Sequence, residues 1–592
     1  MFNRINIGNP SNLFKISCII SLILITISLL IISKNPSTGF ESSIYRTTDI
    51  IFWIAVFLNF FLGTFIVVYC MKYKFNKNYI FLGFFLVTFS SILVLSLAIM
   101  KGYFLWNMSG DPSDHINKIN YILKYGFFEK TNFYPILHIF SSQFLIISDI
   151  SLNSASWILP LFFEILCIPF VYVLSNSILK DYKKSILATI FSCTLILGWY
   201  ISFTPNHLAN LFFPLVMMIL IKSILTEQNR IQWRILLIIM VFLLPPFHPV
   251  VAISMLLIVA SLLGFAFFSE KYSKRKDVII NISLTLIILV GVWTITWISS
   301  FYLWDKTLIN IHTLISEGGP TSISKLSNQA AYANNLGYNI VEYGLKTYGG
   351  PLFFIIMSVL AFPIIWKERK NERMKNLLML YFPLIILGIT LISFYFLNLF
   401  GPTRMLIYIT YFCIIISGFF LYKIIGKIKS YKNIYLSAIA LILLLIFVNG
   451  SLTTYPSHYS LSTSLETSKS EIIGFNWFFE DRNVKTPISG ISIDPDRFAA
   501  YLGINQKNII MYKKNIVPYH FGYNNSTSLS EFYDKNVYLI LTQRDKTYYI
   551  DVFPELANIR WSTTDFEKLN YDQNVNKLYS NGEFDTWLII KK

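Results

Sequence analysis

The sequence predicts an α-helical polytopic membrane protein of about thirteen transmembrane helices with a small C-terminal extracytoplasmic α/β domain. Three observations carry that prediction. The 592 residues are 54% hydrophobic and only 14% charged, with a mean hydropathy of +0.55, whereas soluble domains carry roughly a quarter charged residues. Apolar runs long enough to cross about 30 Å of hydrocarbon recur through the first three quarters of the chain. The segment 450–592 then turns polar, near neutral and rich in Asn, Tyr and Ser.

The predicted spans lie near 14–33, 50–71, 79–100, 155–179, 185–203, 208–225, 235–247, 250–268, 278–298, 351–366, 377–397, 405–422 and 433–449. Several contain proline (Pro169, Pro214, Pro245, Pro246), which a packed bundle tolerates because neighbours satisfy the freed backbone groups. The first span follows Arg4 and Lys15 with no small-residue cleavage site behind it, the pattern of a retained anchor. All five cysteines fall in predicted spans without a CxxC spacing, so neither a disulfide framework nor a zinc site is indicated.

A net charge of +17 is compatible with nucleic-acid binding, a phosphate-rich partner or membrane topology. Its distribution decides. With the N-terminus cytoplasmic, alternation puts 72–77, 180–184, 222–234, 270–277, 367–375 and 423–432 on the same side, and these hold the basic runs KYKFNK, KDYKK, EKYSKRKD and KERKNERMK. The excess of positive charge sits there, as the positive-inside bias requires, and a nucleic-acid partner loses its support. The expected location is the cell membrane, multi-pass, with the N-terminus cytoplasmic and the C-terminal domain outside. On this reading residues 1–449 are the transmembrane bundle, with outer loops 101–154 and 299–350, and 450–592 is an accessory α/β domain. In it a helix is expected at 464–482 and strands at 487–493, 536–542 and 585–590.

Loop 101–154 carries the most chemistry. After Pro112 or Ser113, Ile116, Ile119, Ile122 and Leu123 recur with helical period, giving an amphipathic helix too polar to span. It starts with Asp111, Asp114 and His115. An apolar stretch at 134–147 is too short to cross and reads as a second in-plane segment. The two aspartates suit N-capping and the positive helix end; equally, a carboxylate held at the interface beside a bundle suits general-base work or a metal.

The pattern GD…DH…I…YG……YP.LH in an outer loop, after an N-terminal anchor and before a bundle and an outer domain, resembles the GT-C superfamily of polyprenyl-phosphate-dependent glycosyltransferases. The resemblance implies a GT-C-like bundle that moves a sugar from a polyprenyl-phosphate-type lipid donor to a glycan, lipid or protein acceptor at the outer membrane face. It implies a catalytic acid at Asp111 or Asp114, with Tyr134 and Pro135 opening the second in-plane segment. The loop follows the third span here, whereas in the family it usually follows the first, and the WWDYGY-type motif of the oligosaccharyltransferases is missing. Ile315–Ser316–Glu317 is similar to their Ser/Thr-x-Glu loop motif.

Such chemistry needs a carboxylate at the acceptor, hydrogen-bonding or positive groups at the departing phosphate, and an apolar groove for the lipid. Asp111, Asp114 and His115 are the catalytic candidates. Arg404 in GPTR is the one basic residue of its outer loop, and a guanidinium fits phosphate oxygens as a planar fork. His207, His248, Tyr134 and Glu317 complete the substrate-binding set. Asp111 and Asp114 could share a divalent ion, Mg or Mn; no other cofactor is indicated. Glu164, an acid inside a predicted span, is a site candidate by position, and Lys101 at a span end reads as a snorkelling side chain. A transporter or flippase would need several charged groups near the midplane, where Glu164 stands nearly alone. A polysaccharide polymerase or ligase would need arginine-rich outer loops, and these contain only Arg46 and Arg404.

Overall fold

The computed structural model of the protein describes residues 10–195, 201–268, 276–317, 322–397, 403–428, 434–512 and 516–591. Among these, 12 helices are long and apolar enough to cross a membrane, and the chain is a multi-pass membrane protein. The span expected at 185–203 is the difference. Its helix, Tyr182–Ser192, has only 11 residues, about 16 Å at 1.5 Å per residue, too short to cross by itself.

The ends of the bundle show how the chain nevertheless gets across. Lys180 and Lys183 line one surface pocket with Lys222 and Tyr422. Lys72 Nζ donates to the Gly426 carbonyl at 3.2 Å, and Lys423 pairs with Glu368 at 3.0 Å. The basic segments 72–77, 180–184, 222–234, 367–375 and 423–428 therefore meet at one end. Helix Pro205–Leu225 returns to that end, so the chain changes ends between Lys180 and Pro205, and the Tyr182–Ser192 helix covers the first part of that passage. Their backbone packs tightly: a Cβ at Gly450 would overlap the carbonyl oxygens of Thr194 and Leu195. The first hairpin is equally close. Gly63 in Ile50–Tyr73 faces Gly83 in Lys77–Leu95, and a Cβ on either would lie 2.7–2.8 Å from the other's carbonyl oxygen, the small-residue contact that membrane helices use in place of a hydrophobic driving force.

At the opposite end, the acidic segment forms helix Asp111–Tyr125 and the short apolar stretch forms the 14-residue helix Pro135–Ser148. Within 299–350 lie helices Tyr302–Glu317 and Ser322–Asn335, and the span expected from 351 already starts helically at Ile340.

The C-terminal segment contains the expected helix as Lys469–Asp481, capped by Ser468, whose Oγ accepts from the Glu471 amide at 3.1 Å. Its sheet has four strands: β3 (Ile488–Gly490), β4 (Val537–Thr542), β5 (Val575–Ser580) and β6 (Phe584–Ile589), in the order β3-β4-β6-β5. β3 and β4 run parallel, and the other two pairings are antiparallel. A separate two-strand pairing, β1 (Leu105–Trp106) with β2 (Glu466–Thr467), ties the first outer loop to this segment.

A buried ionic knot lies beside that pairing. Lys101 is 1% exposed, and its ammonium sits 2.7 Å and 2.8 Å from the two Glu41 carboxylate oxygens and 2.7 Å from Thr47 Oγ1. The Tyr103 hydroxyl donates to Glu41 at 2.6 Å, and the Glu41 amide donates to Glu466 at 2.8 Å. The snorkelling expected of Lys101 is thus overturned: Glu41, distant in sequence, gives its charge a buried partner.

Candidate functional site

Helix Asp111–Tyr125 begins after Gly110, which is extended, with Pro112 in the first turn, and it ends at Gly126 in the left-handed region. No side chain caps its N-terminus, so the capping role open to Asp111 and Asp114 is not the one they fill. The face formed by Pro112, Ser113, His115, Ile116 and Ile119 is buried. Asp111 and Asp114 point the other way, with 74% and 33% of their side chains exposed.

Both carboxylates face an arginine of the C-terminal segment. Arg497, on helix Pro495–Tyr501, pairs through Nη1 with Asp114 and has Nη2 3.5 Å from Asp111 Oδ1. Gln506 Nε2 adds a 3.5 Å contact to Asp114. Arg544, from the same segment, donates to Ser109 Oγ at 2.6 Å, just before the helix starts. No residue beyond 450 was expected at the site, and nothing local in the sequence marks Arg497 as a partner of residues nearly four hundred positions upstream.

On the buried face, hydrogen bonds set the state of two imidazoles. Asn132 Oδ1 accepts from the Tyr134 amide at 3.2 Å, which fixes the orientation of the Asn132 side chain. His138 Nδ1, 3.0 Å from the same oxygen, must then be the donor, leaving His138 Nε2 as acceptor for His115 Nδ1 at 3.0 Å. By this chain the lone pair of His115 lies on Nε2. Burial, followed by the nearby His138, Lys118, His248 and Arg497, holds His115 well below the usual histidine range. Burial, then Lys118, brings His138 down to about 3. Both rings are neutral near pH 7. His138 closes the YP.LH motif, so its place was visible; Asn132 gave no signal.

Tyr134 and His248 stack face to face, with ring centroids 5.3 Å apart and planes 5° from parallel. Burial raises the Tyr134 phenol; the Arg404 charge opposes this and Asp111 reinforces it. His248, in the turn between two spans, is lowered to about 3 by burial and then by Arg404. Tyr134 thus lies within electrostatic reach of both Asp111 and Arg404, and His248 within reach of Arg404.

Arg404 also lines a cavity of about 440 Å³ in the bundle. Glu164 and His207 are on its wall, with Oε1 and Nε2 3.1 Å apart but not aligned as a hydrogen bond. Asn210 is there too, accepting from the Tyr408 hydroxyl at 2.6 Å. Asp111, Asp114, His115, Tyr134 and His248 do not line this cavity. The expected residues therefore form two groups, the interfacial one around Asp111 and the intramembrane one around His207, with Arg404 common to both. Glu317 closes its helix, and its side chain lies outside the described residues.

A divalent ion between Asp111 and Asp114 would meet the Arg497 guanidinium on one oxygen of each, Asp111 Oδ1 and Asp114 Oδ2. Lys118, one turn along, also interacts with both acids. Among the described residues no three His, Cys, Asp or Glu side chains gather as a metal-ligand set. As arranged, these residues do not fit a divalent ion.

No protein-family model matches the sequence, and no curated protein matches it. Solved structures do resemble the fold. The apo oligosaccharyltransferase of Archaeoglobus fulgidus is similar at a TM-score of 0.49 and 11% identity, over 85% of this chain and 74% of that one. ArnT from Cupriavidus metallidurans in the apo state gives 0.47 and 9%, over 86% of this chain and 97% of that one. The same ArnT bound to undecaprenyl phosphate gives 0.46 and 9%, over 86% and 98%.

Proposed function

We propose that this chain is a membrane glycosyltransferase that moves a hexosyl or pentosyl group from a polyprenyl-phosphate-type lipid donor to a glycan, lipid or protein acceptor. The reading is carried by one observation: Asp111, Tyr134, His248 and Arg404 gather at the end of the bundle opposite the basic loops. The positive-inside bias makes that the outer end.

In this scheme an acceptor hydroxyl attacks the anomeric carbon while its proton passes to Asp111, the more open of the two carboxylates. The bond between that carbon and the phosphate oxygen breaks, and the negative charge leaves on phosphate held by Arg404. Tyr134 and His248 form a flat stacked wall beside these groups. The cavity with Glu164 and His207 is roomy enough for a sugar ring but not for a polyprenyl chain, which stays in the bilayer. Neutral His115, on the buried face of the same helix, holds the helix in place through His138.

The test is transfer of labelled sugar from a polyprenyl-phosphate donor in vesicles containing the protein. Asp111→Asn is expected to lower turnover by about 10²–10⁴-fold, the usual worth of a positioned base. Full transfer by that variant would sink the assignment. A second reading, transport of a lipid-linked or small substrate, is favoured only by the Glu164–His207 pair inside the bundle. The same vesicles decide it: substrate crossing with no covalent product would replace the transferase reading.

A further inference from the structure

The acid pair carries its own counter-cation. The two terminal nitrogens of Arg497 reach different carboxylates, Nη1 to Asp114 and Nη2 to Asp111, so one planar fork spans both groups. Gln506 supports the arrangement from the same segment, its Nε2 lying 3.5 Å from Asp114 Oδ1 and donating to the Asp496 carbonyl at 3.1 Å. Lys118 adds a second positive charge within reach of both acids. Two carboxylates thus face two cations. A divalent ion shared by the two acids would need carboxylate oxygens at about 2.0–2.6 Å, and a guanidinium charge already stands on one oxygen of each. His115, the nearest nitrogen donor on the helix, has its Nδ1 bonded to His138 and stands on the buried face, whereas the acids are on the open one.

The geometry points to Arg497 standing where a divalent metal would otherwise be expected: we propose that this C-terminal arginine orients Asp111 and Asp114, that the acid pair works without a bound metal ion, and that the C-terminal segment is an obligatory part of the site. Arg497 is then a positioning residue. The proposal rests on the glycosyltransferase reading only where activity is measured.

Two measurements on the full chain in nanodiscs test it. The first is the electron paramagnetic resonance of Mn²⁺ added to the protein. Wild type is expected to show no bound Mn²⁺ that Asp111→Asn with Asp114→Asn removes, while Arg497→Ala gains about one site that those two changes abolish. A wild-type Mn²⁺ site lost on the double substitution would overturn the proposal. The second is sugar transfer after exhaustive chelation with EDTA. Wild type should keep its rate, Arg497→Ala should lose at least tenfold, and millimolar guanidinium ion should restore part of the loss, which a purely structural arginine would not allow. Loss of wild-type transfer on chelation, restored by Mn²⁺ or Mg²⁺, would also overturn it. Were the expected Mn²⁺ behaviour found in a chain that transfers no sugar, the glycosyltransferase reading would fall and this one would stand.

Discussion

Replacing Lys101 by Met removes the only cation of the buried knot while keeping most of the side-chain volume. The wild-type ammonium has both Glu41 oxygens and Thr47 within 2.8 Å. Without it, Glu41 keeps the Tyr103 hydroxyl but faces Glu466 with no positive charge between them. Breaking a buried pair from one side costs about 3–5 kcal/mol. The Glu41 side chain is 12% exposed, so water relieves part of the loss and the lower end, about 3 kcal/mol, applies. That is about 100-fold in the opening of the junction between residues 34–49 and the C-terminal segment. Limited proteolysis in nanodiscs reads this, because cleavage follows the open population when reclosing is fast. Lys101→Met should be cut about 100-fold faster, and Lys101→Met with Glu41→Gln should recover most of the resistance. A change below threefold, or a double variant no better than the single one, would refute the reasoning.

Glu466 gives the same junction a pH dependence. Burial, its largest cause, raises this carboxyl from 4.5 to about 8; stability owed to its protonated form is complete below about pH 4.5 and is lost as pH climbs towards 8. Proteolysis should therefore accelerate between pH 5 and 8, and Glu466→Gln should flatten the profile. Gly63→Val would push a side chain into the Gly83 carbonyl, met by a Cβ at 2.8 Å; fluorescence-detected size exclusion should show a much lower yield of monodisperse protein, whereas Gly388→Ala, with open space around it, should not. His138→Leu removes the acceptor of His115 Nδ1 and should lower the sugar-transfer rate about tenfold at unchanged folded yield, with His138→Gln recovering part of it. Arg404→Gln deletes the cation shared by the two groups and should cost on the order of 10–100-fold in transfer, the worth of a charged hydrogen bond.

What could be read in advance depended on how local the cause was. Span positions follow from apolar runs, and twelve of them needed no information from elsewhere in the chain. The stretch 185–203 differs only in helix length, because the helix stops at Ser192 and Pro205 starts a new one; hydropathy sees apolar residues there, not the helix end. The acidic helix was legible because proline and a hydrophobic period share one stretch. β5 was missed because VNKLYS is an edge strand with mostly exposed positions, so no buried alternation marks it. Lys101 was misjudged and Arg497 overlooked for one reason: each is defined by an ion pair with a residue far off in sequence, 60 and 383 positions away, and a charge does not announce its partner.

That last distance has a consequence in time. Asp114 leaves the ribosome 383 residues before Arg497, an interval of about 20–80 s at 5–20 residues per second. During it the nascent chain displays two acids at the membrane surface with no arginine to meet them, and any product that stops short of residue 497 stays in that condition. Synthesis of the C-terminal segment thus acts as a completion check, and the acid pair acquires its partner only once residue 497 has been made.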